Sequence, residues 1–302
     1  MSKIKIPKVE FYITNVCNLT CEYCNRFNNF HFKGWQDWRD YQHIYQRWAE
    51  LLDIQQLVIM GGEPLLNPTV CDWAEQISLL FGNGVQIVSN GTRINHVPKL
   101  YETMLRRRIW LSVTIHNLNE MQQIMTEVEN FLKSPVEKIQ GAEQNSFGAP
   151  YCYTDSNNIS IPFYITNDFL QSAVIKDPNG NLTLHDSDPT RAHDICVFAQ
   201  SKSYHFIRGK FYKCGPVALL SEFDSQFALK ISDQDRVLLN SYQPLTLENF
   251  DNYHEEFFQT LDDPIPQCKF CPSYGGGGEI WPVRKKHDFI TQKSKDRIVN
   301  SQ

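Results

Sequence analysis

Three cysteines within eight residues, Cys17, Cys21 and Cys24, constrain this chain more than any other feature. Three residues separate the first pair and two the second, so a short loop can bring three thiolates to one face of a cubane iron–sulfur cluster. Such clusters are usually held by four cysteines, and a three-cysteine loop leaves one iron for another ligand. Zinc loops instead favour paired C-x2-C spacings and close all four positions. The mostly apolar stretch Val9 to Ile13 reads as a strand, which places the loop at a strand's C-terminal end. Barrel enzymes keep their chemistry there.

A second apolar strand, Leu57 to Met60, runs directly into Gly61-Gly62-Glu63-Pro64-Leu65. Glycines after a buried strand let the backbone approach a ligand closely, because no Cβ stands in the way. A third strand, Val85 to Val88, ends in Ser89-Asn90-Gly91-Thr92, and a fourth, Trp110 to Ile115, ends in His116-Asn117. These strand ends line up as one polar rim. A lone histidine such as His116 serves equally well as a structural hydrogen-bonding residue.

The Cys-x3-Cys-x2-Cys run, with the aromatic Tyr23 before its last cysteine, resembles the signature of the radical S-adenosylmethionine (radical SAM) superfamily. The Gly-Gly-Glu-Pro run about one βα unit later would alone be only a turn; in this context it resembles the family's second element. The resemblance implies a [4Fe–4S] cluster on Cys17, Cys21 and Cys24 whose open iron is chelated by the amino and carboxylate groups of SAM. It also implies that Tyr23 lies near the adenine and that Gly61, Gly62, Glu63 and Pro64 lie beside the methionyl amino group. Ser89 and Asn90 fall on the SAM side, with Ser112 at the barrel mouth. His116 and Cys152 are the candidates for a catalytic role.

Apolar residues at helical spacing predict helices over Trp38 to Leu52, over Val70 to Leu80 with Gly82 as a stop, and over Met121 to Leu132. Strands alternating with such helices imply a parallel sheet with right-handed crossovers. The pattern lapses from Gly141 to Asn158, which reads as a long loop carrying Cys152. Strand character returns at Ile159 to Ile165 and at Asn181 to Leu184. About six strands result, as in the α/β partial (β/α)6 TIM-like barrel of the family that the chain resembles.

Cys196, Cys214, Cys268 and Cys271 form a second constellation. Between the first two, apolar and aromatic residues flank Arg208-Gly209, a hairpin with glycine at the turn. The spacing of Cys196, Gly209 and Cys214, followed by Cys268-x2-Cys271, resembles the twitch domain, the half-length form of the SPASM extension. That resemblance implies an auxiliary [4Fe–4S] cluster on all four cysteines; a closed zinc site is the alternative for such a set. The expected organisation is therefore a barrel over 1–190, a cluster-binding extension over 191–280, and a polar tail over 281–302.

The 302 residues suffice for a principal domain and a small extension. No stretch reaches the length of a membrane span and the N-terminus lacks a secretory apolar core. Nine cysteines without a signal peptide therefore point to reduced, metal-bound thiolates in the cytoplasm. Two clusters would use seven of them, leaving Cys71 and Cys152. A net charge of −5 without a basic stripe disfavours a nucleic-acid substrate.

The resemblance implies cleavage of SAM to a 5′-deoxyadenosyl radical that abstracts a substrate hydrogen. An external donor such as flavodoxin or ferredoxin would supply the electron. An auxiliary cluster with four protein ligands has no open iron for substrate, so electron transfer is its simplest role. Two-electron oxidation of a small molecule follows as the leading expectation. The alternatives are maturation of a ribosomally made peptide, a redox-neutral rearrangement with Cys152 as hydrogen donor, and a non-enzymatic iron–sulfur or zinc protein.

Overall fold

The computed structural model describes residues 3–21, 24–30, 33–132, 135–165 and 172–273. Tyr23 and the tail over 281–302 lie outside the described residues.

Four strand–helix units build the first half: β1 (Ile4–Tyr12), α1 (Trp38–Leu51), β2 (Leu52–Met60), α2 (Val70–Phe81), β3 (Val85–Ser89), α3 (Leu100–Arg106), β4 (Ile109–Ile115) and α4 (Met121–Phe131). A hairpin, β5 (Val136–Gln140) and β6 (Tyr151–Asp155), leads into β7 (Ser160–Ile165). Then come β8 (Val174–Lys176), β9 (Leu182–Leu184), α5 (Pro189–Asp194), α6 (Val197–Gln200), β10 (Ser203–Ile207) and β11 (Lys210–Tyr212). Helices α7 (Gly215–Phe227), α8 (Asp233–Asn240) and α9 (Phe250–Gln259) complete the described chain.

The main sheet has nine strands in the order β11-β10-β1-β2-β3-β4-β7-β6-β5. The six from β10 to β7 are mutually parallel. The fold is α/β with a mostly parallel sheet, as the alternation of strands and helices predicts.

Two expectations need correction. Asn181 to Leu184 does not supply the sixth barrel strand, because β9 pairs only with β8 in a separate two-stranded sheet. The sixth parallel strand is β10, the first arm of the hairpin expected in the C-terminal extension, which pairs with β1. The division at residue 190 therefore separates two segments that share one sheet. The region from Gly141 to Asn158 is not a structureless loop either. Strand β6 runs antiparallel between β5 and β7, and Cys152 sits within it opposite Ile139 and Pro162.

Residues alternate across each strand, so one face of the sheet is apolar and the other polar. Phe11, Ile59, Ile87, Leu111, Phe163 and Phe206 join the main core under the helices. Glu10, Met60, Gln86, Ser112 and His205 occupy the intervening positions and face the other way. That second face is where a site can be built. Helix α1 is anchored to the β10–β11 turn, where Trp48 donates from Nε1 to the Gly209 carbonyl at 2.8 Å. Arg208 and Gly209 both have positive φ (51° and 74°), the geometry of a tight hairpin turn of type I′. Helix α2 stops where expected, with Gly82 in the left-handed conformation as its cap.

Candidate active site

The cysteine loop continues from β1. Cys17, Leu19 and Cys21 are buried together and Cys24 packs against them, apart from the main core. Backbone N–H groups of Arg26, Phe27 and Asn28 face the Cys24 sulfur, which favours its thiolate, although burial still pushes the thiol up. This is a preorganised three-thiol bowl.

The Gly-Gly-Glu-Pro run locks this loop from below. The N–H of Gly62 donates to Thr14 O at 2.7 Å and that of Glu63 to Val16 O at 2.7 Å. A Cβ on Gly61 would lie 2.5 Å from Thr14 O, and one on Gly62 would lie 2.2 Å from Val16 O. Real Cβ atoms do not approach backbone so closely, so only glycine lets the two backbones meet. What these glycines approach is the cysteine loop itself. Since the Gly62 and Glu63 N–H groups are engaged there, carbonyl oxygens are what this run offers to an amino group.

Glu63 is buried and ties three segments together. Its carboxylate accepts from Ser89 Oγ at 2.8 Å, from Asn90 N at 2.8 Å and from Leu65 N at 3.0 Å. Burial pushes its pKa up to about 7, against the pull of those hydrogen bonds. Asn90 reaches on to Asn18 between the first two cysteines, at 3.0 Å, and Asn18 donates to Thr92 at 2.7 Å. Ser89 and Asn90 thus stand beside the cysteine loop and brace it. Ser112 lies on the polar face of β4 and accepts from Gln86 at 3.0 Å, while the half-buried His116 follows the end of that strand. Cys152 is 1% exposed and burial raises its thiol.

The second cysteine group also converges. Cys196, Cys214 and Cys268 line one pocket with His193, Lys213 and Phe198. The Cys271 thiol is pushed well up by burial and by the charges of Cys214, Cys268 and Cys196, so all four share one neighbourhood. Cys214 caps α7, where the Val217 N–H faces its sulfur. Burial raises the Cys268 thiol to about 11. The raised thiols of Cys214, Cys268 and Cys271 suit a cationic metal group, which reverses that trend by binding thiolates. Among the described residues no three His, Cys, Asp or Glu side chains gather closely enough to chelate one metal ion.

Between the groups lies a charged cluster that pattern reading misses: Glu10 from β1, His205 from β10 and Arg26 from the cysteine loop. All three are at most 5% exposed. Arg26 Nη2 donates to Glu10, and Ser203 Oγ donates to the other carboxylate oxygen at 2.9 Å. The Gly215 N–H donates to His205 Nδ1 at 3.0 Å. That leaves Nε2 as the protonated nitrogen, 3.0 Å from Glu10. The only available signal was a lone carboxylate at an inward position of the apolar strand around Glu10.

Burial and the neighbouring Arg26 charge lower the His205 pKa from 6.5 to about 4, so the ring is neutral at pH 7. Burial would raise Glu10, but His205 and Arg26 together hold it below the usual carboxylate range. Because Arg26 is the permanent charge, it is the partner that keeps Glu10 ionised. Both folded pKa values are depressed, so both stabilising contributions are complete above the unfolded pKa values and are lost as pH falls. We expect the unfolding free energy to drop by about 3 kcal/mol from His205 between pH 6.5 and 4, with Glu10 adding in the same direction. Glu63, whose raised pKa lets the folded chain take up a proton over the same range, acts in the opposite direction, so the His205 contribution is the difference between the wild-type protein and His205→Gln in urea unfolding at each pH.

The profile of the Radical SAM superfamily matches residues 11–140, from the end of β1 through β5. The chain carries a radical SAM superfamily domain. A protein described as a probable GTP 3′,8-cyclase from Methanocaldococcus jannaschii is 29% identical over 120 residues, 38% of this chain and 38% of that one. The match therefore spans well under half of that relative's length. A solved structure described as BtrN in complex with AdoMet and 2-DOIA is 14% identical, covers 94% of this chain and 100% of that one, and superposes with a TM-score of 0.48. The radical SAM domain implies a [4Fe–4S] cluster and SAM, and the three-thiol bowl above the Gly61-Gly62 backbone fits them. Among the described residues no helix is long and apolar enough to cross a membrane.

Proposed function

We propose that this protein is a radical SAM oxidoreductase that removes two electrons from a small-molecule substrate, with a second cluster on the four C-terminal cysteines. The observation that carries this reading is the convergence of Cys196, Cys214, Cys268 and Cys271 beside a domain that already holds Cys17, Cys21 and Cys24. When bound, the first cluster and SAM supply a 5′-deoxyadenosyl radical that takes hydrogen from a substrate C–H bond.

The chain's own part is positioning. Cys17, Cys21 and Cys24 would hold the cluster, and the Gly61-to-Pro64 run keeps their loop in place. Glu63, Ser89 and Asn90 fix that run against the loop, so a SAM molecule would meet a rigid wall. The polar sheet face carrying Gln86 and Ser112 is the surface available to orient a substrate. In the second group, the Val217 N–H and the helix α7 N-terminus favour the Cys214 thiolate. Four protein thiolates leave no open iron, which supports an electron-accepting role over substrate binding.

A zinc ribbon, with four thiolates on one ion at about 2.3 Å, is the alternative for the same four cysteines. The name of the archaeal relative describes GTP cyclisation, and its matched part is confined to the radical domain, so no nucleotide substrate is carried over. A low-potential donor such as flavodoxin or ferredoxin and a cytoplasmic setting complete the proposal.

Metal stoichiometry tests it. The anaerobically reconstituted protein should bind about eight irons, two cubanes of four. Replacing Cys17, Cys21 and Cys24 together by alanine should leave about four. Zinc in place of iron at the C-terminal cysteines would overturn the second cluster.

A further inference from the structure

Arg26 has more donors than the Glu10 contact uses. Its Nε and Nη1 are buried without a hydrogen-bond partner. Unpaired buried donors forfeit the hydrogen bonds water would give them, so they call for an acceptor. The guanidinium is placed by contacts from both cysteine groups. It follows Cys24 by two residues, and the Phe198 ring, two residues after Cys196, covers it at 5.0 Å. A Cβ on Gly215 would lie 2.5 Å from Nη1 and 2.5 Å from the His205 ring, so glycine after Cys214 is what lets both the guanidinium and that ring rest against the start of α7.

We propose that Arg26 is a positioning residue shared by the two cysteine sites, its guanidinium lying between them and raising the reduction potential of the C-terminal cluster. The inference rests on the four-cysteine cluster reading above. Cluster potentials follow net charge, burial and hydrogen bonds to the sulfurs, and a buried cation stabilises the reduced form, which carries one more negative charge. Cluster sulfur would also supply the acceptors that Nε and Nη1 lack. Glu10 does not cancel the effect, because it binds Nη2 while Nη1 faces Gly215. The pair acts as a dipole with its positive end toward Cys214.

The test is a dithionite titration of the reconstituted full chain, with the C-terminal cluster followed by electron paramagnetic resonance. Glu10→Gln/Arg26→Gln, which removes both charges together, should shift the one-electron reduction equilibrium at least tenfold toward the oxidised cluster, about 59 mV. Arg26→Lys, which keeps the charge, should shift it far less. Gly215→Ala, which pushes the guanidinium and the His205 ring away from the start of α7 with both charges intact, should shift it in the same direction as the double variant and serves if that variant does not fold. An unchanged potential in the double variant at about eight irons, or in Gly215→Ala, overturns the role of Arg26 alone. So does a shift in Arg26→Lys as large as the double variant's. A wild-type protein that binds only about four irons overturns the two-cluster reading, and this inference with it.

Discussion

Cys268→Ala or Cys271→Ala should leave SAM cleavage intact while abolishing formation of the oxidised product. Both residues lie on the turn around Pro266–Phe270, and they share a neighbourhood with Cys196 and Cys214, not with the N-terminal bowl. Hydrogen abstraction needs only the ligands of the first cluster, whereas loss of the second electron needs an acceptor within tunnelling reach. Without that acceptor the substrate radical can only regain a hydrogen, so deuterium from a labelled substrate should appear in 5′-deoxyadenosine or in re-formed SAM without net product. Measuring 5′-deoxyadenosine and product together in a variant that keeps about four irons separates the two steps. Normal product yield in that variant would assign the C-terminal cysteines a structural role and leave a redox-neutral reaction.

The second large effect concerns stability. Arg26→Ala should destabilise the fold by about 3–5 kcal/mol, because it strands an ionised Glu10 at 5% exposure in the sheet interior. Glu10→Gln/Arg26→Gln should cost clearly less than Arg26→Ala despite touching two residues, since no unpaired charge is left behind. Urea unfolding of the two variants compares them directly. A double variant less stable than Arg26→Ala would show that the penalty comes from lost packing against Phe198 and Tyr12 and not from the orphaned charge.

Much of the fold could be read in the sequence because its signals are local. Apolar runs such as Leu57 to Met60 and Val85 to Val88 mark parallel strands by composition alone, and Gly82 marks a helix end. The Arg208-Gly209 turn was equally legible as a hairpin. Its partner was not: β10 pairs with β1 across nearly two hundred residues, and no local pattern records that register. The β5–β6 hairpin escaped for another reason, because Val136–Gln140 buries no residue fully and shows no apolar stripe.

The candidate site divides in the same way. Seven cysteines and the Gly-Gly-Glu-Pro run announce themselves by spacing. The glycines there were expected to admit a ligand, and they first admit the Thr14-to-Cys17 backbone. Ser89 and Asn90 were expected beside SAM, and their visible bonds brace the cysteine loop through Glu63 and Asn18. The Glu10–Arg26–His205 cluster is assembled from residues nearly two hundred positions apart, so only the folded chain brings it together.

The central claim is that the Cys17, Cys21 and Cys24 bowl drives reductive cleavage of SAM. Quantifying 5′-deoxyadenosine from the reduced, reconstituted protein and from its Cys21→Ala variant tests it most directly. The wild-type protein should release 5′-deoxyadenosine and methionine in equal amounts, and the variant, unable to hold the cluster whose open iron anchors SAM, should release neither. Undiminished cleavage by Cys21→Ala, or none by a wild-type protein carrying its full complement of iron, would contradict the account.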